Sequence, residues 1–438
     1  MDAVLVTVDS LRADHCGWHH DPPADGGPDP PESVTPNLDS LAGESLTFET
    51  AISPGPRTLS SVPVSHTGVP FASGEVDTSV YERRVERIRS HVERFETVSE
   101  TLQAAGYTTL AFTANPWTSR TSGFDAGFDT FVEVGRTGGG IWSRFQDTPL
   151  DKPARLFDRW VHDDTWFCRW RTFYDDLRAA IEAADGPVFA WVFLLDPHNP
   201  YLIPRQDRVE TSTVEMYAAV GRANRFLRQV DGRTAVDDSV GEGTLESLSR
   251  AYRDCIRSVD TFVGRLRSDL ADETLLVFHS DHGEALGDHG GYGHAPVLYE
   301  ENVHVPLLVH GVDSDATVDR PVSTAAVADI LRSYALGDDP DPRQWTTDYA
   351  VARTEDDRSL ALRGERWKYV TTPEGDSLYD LAADPGETTD RSDENPEALA
   401  ELRAQRDSFL AGLPEAATDA AVEGDEAVRE HLQSLGYL

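Results

Sequence analysis

The sequence predicts an α/β fold: a large, mainly parallel central sheet with helices on both faces, followed by a small C-terminal antiparallel sheet with a helix. Three observations predict it. Short apolar runs alternate with segments of helical period as far as about residue 335, the pattern of a parallel sheet covered by its crossover helices. Two of those runs end in ionisable residues: residues 4–8 lead into Asp9-Ser10, and residues 274–278 lead into Ser280-Asp281-His282-Gly283-Glu284. The C-terminal tips of parallel strands are where such sheets hold ligands. After residue 348 the style changes to short strands with tight turns.

The elements follow in order. Residues 21–36, rich in Pro, Asp and Gly, read as a surface loop. Pro36 then sits in the first turn of a helix over 37–42, stopped near Gly43. Residues 46–52 read as a strand, and residues 58–68 as a helix whose Pro63 is assigned to a tolerant first turn. Over 82–104, Val85, Ile88, Val92, Phe95, Val98 and Leu102 share one helical face, and Gly106 ends that single helix. Strand 108–113 and helix 172–184 follow, and the unbroken apolar run 188–195 reads as a buried strand. Helices over 214–229 and 244–270 flank an acidic, Gly-containing loop at 231–243. Strands over 349–352, 359–362 and 367–370 precede a helix near 396–411. The expected parts are a catalytic α/β domain over 1–340 and a small α+β subdomain packed on it over 341–412. An acidic linker with a terminal helical turn occupies 413–438.

Composition bounds the function. The 438 residues carry 77 acidic against 39 basic side chains, a formal charge of -38 spread along the chain. Lys152 and Lys368 are the only lysines. Such a surface repels nucleic acid and anionic membranes, which excludes a nucleic-acid-binding role. It suits concentrated salt, where screening removes the self-repulsion. The reading is a halophilic protein from a salt-filled cytoplasm. No apolar stretch is long enough to span a bilayer, and the first strand begins without a charged-then-apolar leader. A cytoplasmic location is expected. Cys16, Cys168 and Cys255 show no metal-ligand spacing and read as small buried residues.

Two carboxylates and an imidazole at two strand ends, Asp9, Asp281 and His282, make a site for one divalent metal. Between those strands Ser53-Pro-Gly-Pro-Arg57-Thr58 leads into the helix over 58–68. A hydroxyl there feels the positive end of the helix dipole. On physical grounds alone, Thr58 reads first as an N-cap.

These motifs resemble the sulfatase family of the alkaline phosphatase superfamily. Val6-Thr-Val-Asp9-Ser-Leu-Arg12-Ala-Asp14, Thr35-Pro-Asn-Leu-Asp39-Ser-Leu and residues 58–68 look like its opening. Gly106-Tyr107, Asp196-Pro-His198-Asn-Pro-Tyr201, Ser280-Asp-His-Gly-Glu284, and Gly293-His294 with Leu298-Tyr299-Glu300-Glu301 continue the likeness, as do Leu378-Tyr-Asp-Leu381 and Asp384-Pro-Gly-Glu387. The resemblance implies an alkaline phosphatase-like fold, Asp9, Asp281 and His282 as metal ligands, and Thr58 as nucleophile. Arg12 and Asp14 fit as a supporting ion pair. The chain also departs from the pattern. Ser10 stands where a second Asp is usual, and Thr58 stands where the family converts a cysteine to formylglycine. Formylglycine is therefore excluded at that position.

Threonine changes the expected chemistry. A formylglycine hydrate can release sulfate by carbon–oxygen cleavage, and threonine cannot. A phospho-threonine can be opened by activated water or by an alcohol. The places where the family carries lysines hold Ala114, beside Asn115, and His294. Such a pocket suits a singly charged group, with Arg57 and Asn115 as candidate substrate-binding residues. The expected enzyme is a sulfatase-like ester hydrolase favouring a phosphodiester or phosphonate monoester, with a sulfate ester second. His198 and His294 are candidates to protonate the leaving oxygen, on the premise of a near-neutral pKa. Alternatively they hold a second ion with Asp196. One divalent ion is expected, Mn or Zn ahead of Ca or Mg. The substrate is a small-molecule or a glycan- or lipid-linked ester. Rival readings are a phospho-group transferase to an alcohol and a catalytically degenerate binding protein of the same fold.

Overall fold

A computed structural model describes residues 1–19, 33–73, 81–135, 169–230, 233–236 and 241–415, the stretch 224–236 by its main chain alone. An eight-stranded sheet organises it. Across the sheet run Thr317–Val318, Leu46–Phe48, Leu307–His310, Leu275–Ser280, Ala3–Val8, Val188–Leu194, Thr108–Thr113 and Thr130–Glu133. Only Leu307–His310 opposes the others, since it is antiparallel to both its neighbours. The remaining pairs are parallel.

Alternation along the strands sorts the core into two layers. Val4, Val6 and Val8 face one cluster, which takes Leu38 and Leu41 from helix Pro36–Ala42, Tyr174 and Leu177 from Tyr174–Ala183, Met216 and Ala219 from Thr213–Phe226, and a long stripe from Glu242–Asp269. Ala3 and Leu5 face the other, built from Leu59 and Val62 of Thr58–Thr67, Val85, Ile88 and Val92 of Tyr81–Arg94, Val98 and Leu102 of Val98–Ala104, and Ile330 and Leu331 of Val327–Ala335. The expected helices on both faces are thus present.

A four-stranded antiparallel meander follows, Ala350–Arg353, Leu360–Arg363, Trp367–Thr372 and Gly375–Asp380. One face packs Leu360, Leu362, Tyr369 and Leu378 against Leu399 and Leu402 of helix Pro396–Ala411. The other packs Ala350, Ala352 and Ala361 against Ile52, Leu298 and Val303 of the main body.

Several expectations are corrected. The strand expected over 46–52 is two strands, Leu46–Phe48 in the main sheet and Ala51–Ile52 in a separate three-stranded sheet with His304–Val305 and Val322–Ser323. The single helix over 82–104 is two, because Thr97 starts a new helix with a capping box. Its hydroxyl accepts from the Glu100 N–H, and Glu100 Oε2 accepts from the Thr97 N–H at 2.9 Å. The expected loop over 231–243 is entered by a hairpin, Leu227–Val230 with Arg233–Val236, and the next helix already starts at Glu242. Pro63 lies beyond the first turn of its helix. Most of the loop expected at 21–36, residues 416–438, Lys152 and Cys168 lie outside the described residues. Among the described residues no helix is long and apolar enough to cross a membrane.

Candidate active site

Parallel register sets Val8 opposite both Leu194 and Ser280, so the next residues of all three strands leave the sheet together. The ladder runs one step further. The Asp9 N–H donates to the Leu194 carbonyl at 2.9 Å, and the Asp281 N–H to the Val8 carbonyl at 3.0 Å. The chain then turns sharply at Ser10, whose φ of 65° is unusual for a residue with a side chain. That turn aims the Ser10 N–H at Asp281 Oδ1 (3.2 Å) and its hydroxyl at Asp9 Oδ1 (3.0 Å). The Ser280 hydroxyl donates to the Val8 carbonyl and accepts from the Leu11 N–H, each at 2.8 Å, tying the two strand ends together.

His282 completes a donor cluster. Its Nδ1–H donates to the Gly283 carbonyl at 2.8 Å, which leaves the lone pair on Nε2. Nε2 lies 3.4 Å from Asp9 Oδ1 and 3.6 Å from Asp281 Oδ2. Ligand atoms of all three residues fall within 4.8 Å of one another. Burial, then the neighbouring Asp281 charge, pushes the Asp9 carboxyl well above its ordinary range. Burial pushes Asp281 up to about 7. Asp281 Oδ2 is buried with no hydrogen-bond partner. Two carboxylates resisting ionisation, an orphaned oxygen and an oriented imidazole nitrogen fit a divalent cation.

Thr58 stands beside this cluster. It is the first residue of a helix buried along its whole length, and the N-cap position belongs to Arg57, which corrects the N-cap reading of Thr58. The Thr58 hydroxyl lies 3.4 Å from His282 Nε2. The Asn115 amide donates to Thr58 Oγ1 at 3.2 Å and to Asp9 Oδ2 at 2.7 Å. Its own oxygen accepts from the Trp117 N–H at 2.9 Å, which fixes the amide's direction. The hydroxyl therefore sits under a helix N-terminus, an amide N–H and the carboxylate–imidazole cluster.

His294 and His198 extend a row of imidazoles, with ring centroids 5.0 Å from His282 to His294 and 4.7 Å from His294 to His198. The premise of near-neutral pKa values is corrected. Burial pushes His198 down to about 3 and His294 well below the usual range, so both are neutral at pH 7. Asp196 is ion-paired with Arg169. Among the described residues only Asp9, Asp281 and His282 gather as a metal-ligand group, so the second-ion alternative loses its carboxylate. Arg12 makes the expected ion pair with Asp14 at 2.7 Å and a further one with Asp288 at 2.8 Å.

The Arg57 side chain lies against the His294 loop. Its Nε–H donates to the His294 carbonyl at 2.9 Å, and Nη1 pairs with Glu355 Oε1 at 2.5 Å. Glu284 went unassigned from sequence, yet it is fully buried, with Oε1 3.7 Å from His294 Nδ1. Its place two residues after His282 was the available signal.

Known proteins resemble this chain in sequence and in fold. The family model described as Sulfatase matches residues 2–333. Choline-sulfatase of Rhizobium meliloti (strain 1021) is 27% identical over 336 residues, covering 64% of this chain and 65% of that protein, just under two thirds of its length. The solved phosphonate monoester hydrolase of Agrobacterium radiobacter superposes with a TM-score of 0.65 at 19% identity, covering 94% of this chain and 95% of its own. A 2-O GAG sulfatase superposes with a TM-score of 0.67 at 16% identity, covering 98% and 99%. These superpositions support the alkaline phosphatase-like fold.

Proposed function

Because this chain belongs to the sulfatase family, whose members hydrolyse esters with a metal ion, we propose that it does so with Thr58 as nucleophile, on a singly charged phosphodiester or phosphonate monoester. The observation that carries the reading is the Thr58 hydroxyl, held by Asn115 at 3.2 Å and lying 3.4 Å from His282 in the Asp9–Asp281–His282 cluster. The described cysteines, Cys16 and Cys255, are buried in the core, and no cysteine occupies the nucleophile turn.

A divalent ion held by Asp9, Asp281 and His282 would acidify the hydroxyl and offset charge on the reacting group. The chain's own residues do the rest. Asn115 and the helix N-terminus hold Thr58 Oγ in place and favour its negative charge. Attack forms the Thr58 Oγ–P bond and breaks the bond from phosphorus to the leaving oxygen, which departs with the proton that the Thr58 hydroxyl gives up. Water then attacks phosphorus, breaks the Oγ–P bond and restores the hydroxyl. His294, being neutral, can offer only an N–H hydrogen bond to the leaving oxygen, while His198 spends its N–H on the Asn199 carbonyl and supports the His294 ring beside it.

Site charge supports the substrate class. Lys368, the one described lysine, is fully buried and paired with Glu300 at 2.9 Å and Glu387 at 2.8 Å. Arg57 is engaged by Glu355. Among the described residues a dianionic monoester would find little extra positive charge, whereas a singly charged ester needs little.

The test is a side-by-side assay of phosphodiester, phosphonate monoester, phosphate monoester and aryl sulfate, in high salt with Mn. Thr58→Ala should lose turnover by at least roughly 10³-fold while keeping metal binding, and Thr58→Ser should retain part of the activity. Undiminished turnover in Thr58→Ala would end the nucleophile assignment. Cleavage of aryl sulfate alone would end the substrate assignment.

A further inference from the structure

The C-terminal meander reaches the back of the nucleophile turn at several points. The Arg353 N–H donates to the Pro54 carbonyl at 2.8 Å. Gly55 lies so close that a Cβ there would meet the Arg353 carbonyl oxygen at 2.7 Å and Ser60 Oγ at 2.4 Å, so only glycine fits. Two residues beyond Arg353, the buried Glu355 takes the Arg57 guanidinium at 2.5 Å, and that guanidinium also donates to the His294 carbonyl at 2.9 Å. The Arg57 main chain meanwhile starts the nucleophile helix, its carbonyl accepting from the Ser60 and Ser61 N–H groups at 3.0 and 3.1 Å.

One carboxylate therefore holds one arginine, which is itself the residue before Thr58 and whose side chain touches the loop that carries His294. We propose that Glu355 is a positioning residue for catalysis: through Arg57 it sets the distance between the Thr58 turn and the His294 loop, so the C-terminal sheet completes the active site. Arg57 on this view fixes geometry and does not bind substrate. The inference rests on the proposed roles of Thr58 and His294. A half-buried, two-way guanidinium contact suits this task because its planar fork restrains direction as well as distance. Small displacements of reacting groups are costly: about 1 Å can cost on the order of 10²-fold in rate.

The experiment compares Glu355→Gln, Arg57→Gln, Arg57→Lys and the double variant Glu355→Gln/Arg57→Gln, on whichever substrate the full-length enzyme turns over in high salt. Glu355→Gln should lower kcat by roughly 10- to 100-fold, with KM within about twofold and the melting temperature little changed. Arg57→Lys should fall between the parent and Arg57→Gln. The double variant should be no slower than the worse single, because both act through one link. An unchanged kcat in folded Glu355→Gln, a rise in KM alone in Arg57→Gln, or additive losses in the double variant would each overturn the proposal. Should Glu355→Gln fail to fold, the two Arg57 variants, altered at a partly exposed side chain, decide the question through the same comparison of kcat with KM. Thr58→Ala run in parallel separates the readings: retained turnover there rejects the nucleophile and leaves the clamp to be judged on kcat.

Discussion

At the scale of single residues, burial governs the protonation of the site. Asp9 and Asp281 are enclosed and face each other, so the folded chain resists ionising them. Between about pH 4, where a free carboxyl ionises, and the Asp281 value of about 7, the metal-free fold keeps a proton that the unfolded chain has released. Raising pH through that window therefore weakens the metal-free fold, and stability bound to this proton is lost by the upper end. A divalent cation reverses the preference by taking the ionised carboxylates. Mn affinity should thus rise with pH, by up to about tenfold per unit for each proton displaced. Calorimetric titration at pH 5.5, 6.5 and 7.5 in molar salt measures this. A pH-independent affinity would show that the buried carboxylates are not the ligands. The histidine row behaves oppositely: burial keeps His198 and His294 neutral, so activity should not fall as pH rises through 6.5.

At the scale of elements, the join between helices Tyr81–Arg94 and Val98–Ala104 is informative. Apolar residues continue on one face across it, yet the main chain breaks at Thr97. Thr97 and Glu100 satisfy each other's N–H groups there, and Thr97 is buried. Thr97→Ala should cost about 1 kcal/mol, visible as a small drop in melting temperature, with kcat unchanged because the break is remote from Thr58. A loss of activity at unchanged stability would contradict that separation. The Thr-x-x-Glu signature was present in the sequence; hydrophobic period alone concealed it. Helix Thr58–Thr67 is held differently. All its residues from Thr58 to Thr67 are buried, so packing on both sides holds it together despite Pro63.

At the scale of the whole molecule, charge is distributed unevenly between surface and interior. The chain carries a net charge of -38, while Lys368 is spent inside, where it joins the C-terminal sheet to Glu300 of the main body. Arg363 reaches the same Glu300 at 3.2 Å. Those enclosed pairs are shielded from solvent ions, whereas the acidic surface is not. Dilution from molar to millimolar salt should therefore lower the melting temperature by about 10 °C or more through unscreened self-repulsion. A melting temperature independent of salt would reject the halophilic reading.

Sequence pattern made four main-sheet strands legible, near 4–8, 108–113, 188–195 and 274–278, with the ionisable residues at two of their tips, but gave no sign of Thr130–Glu133, Leu307–His310 or Thr317–Val318. Each comes from local pattern: an apolar run must be buried, and the polar residues after it must emerge at the sheet's edge. Asp9, Asp281 and His282 were legible for that reason, whereas local pattern read Thr58 only as an N-cap and the family resemblance alone made it a candidate nucleophile. Only the tertiary structure decided which residues meet. Arg57 finds Glu355, Asp196 finds Arg169, and Asn115 spans Thr58 and Asp9, all across long separations in sequence. It also decided that residues 46–52 divide between two sheets, since strand identity there depends on the pairing partner and not on apolar content. The lowered pKa values of His198 and His294 belong to the same class. Desolvation is a property of the enclosure, and no residue carries it alone.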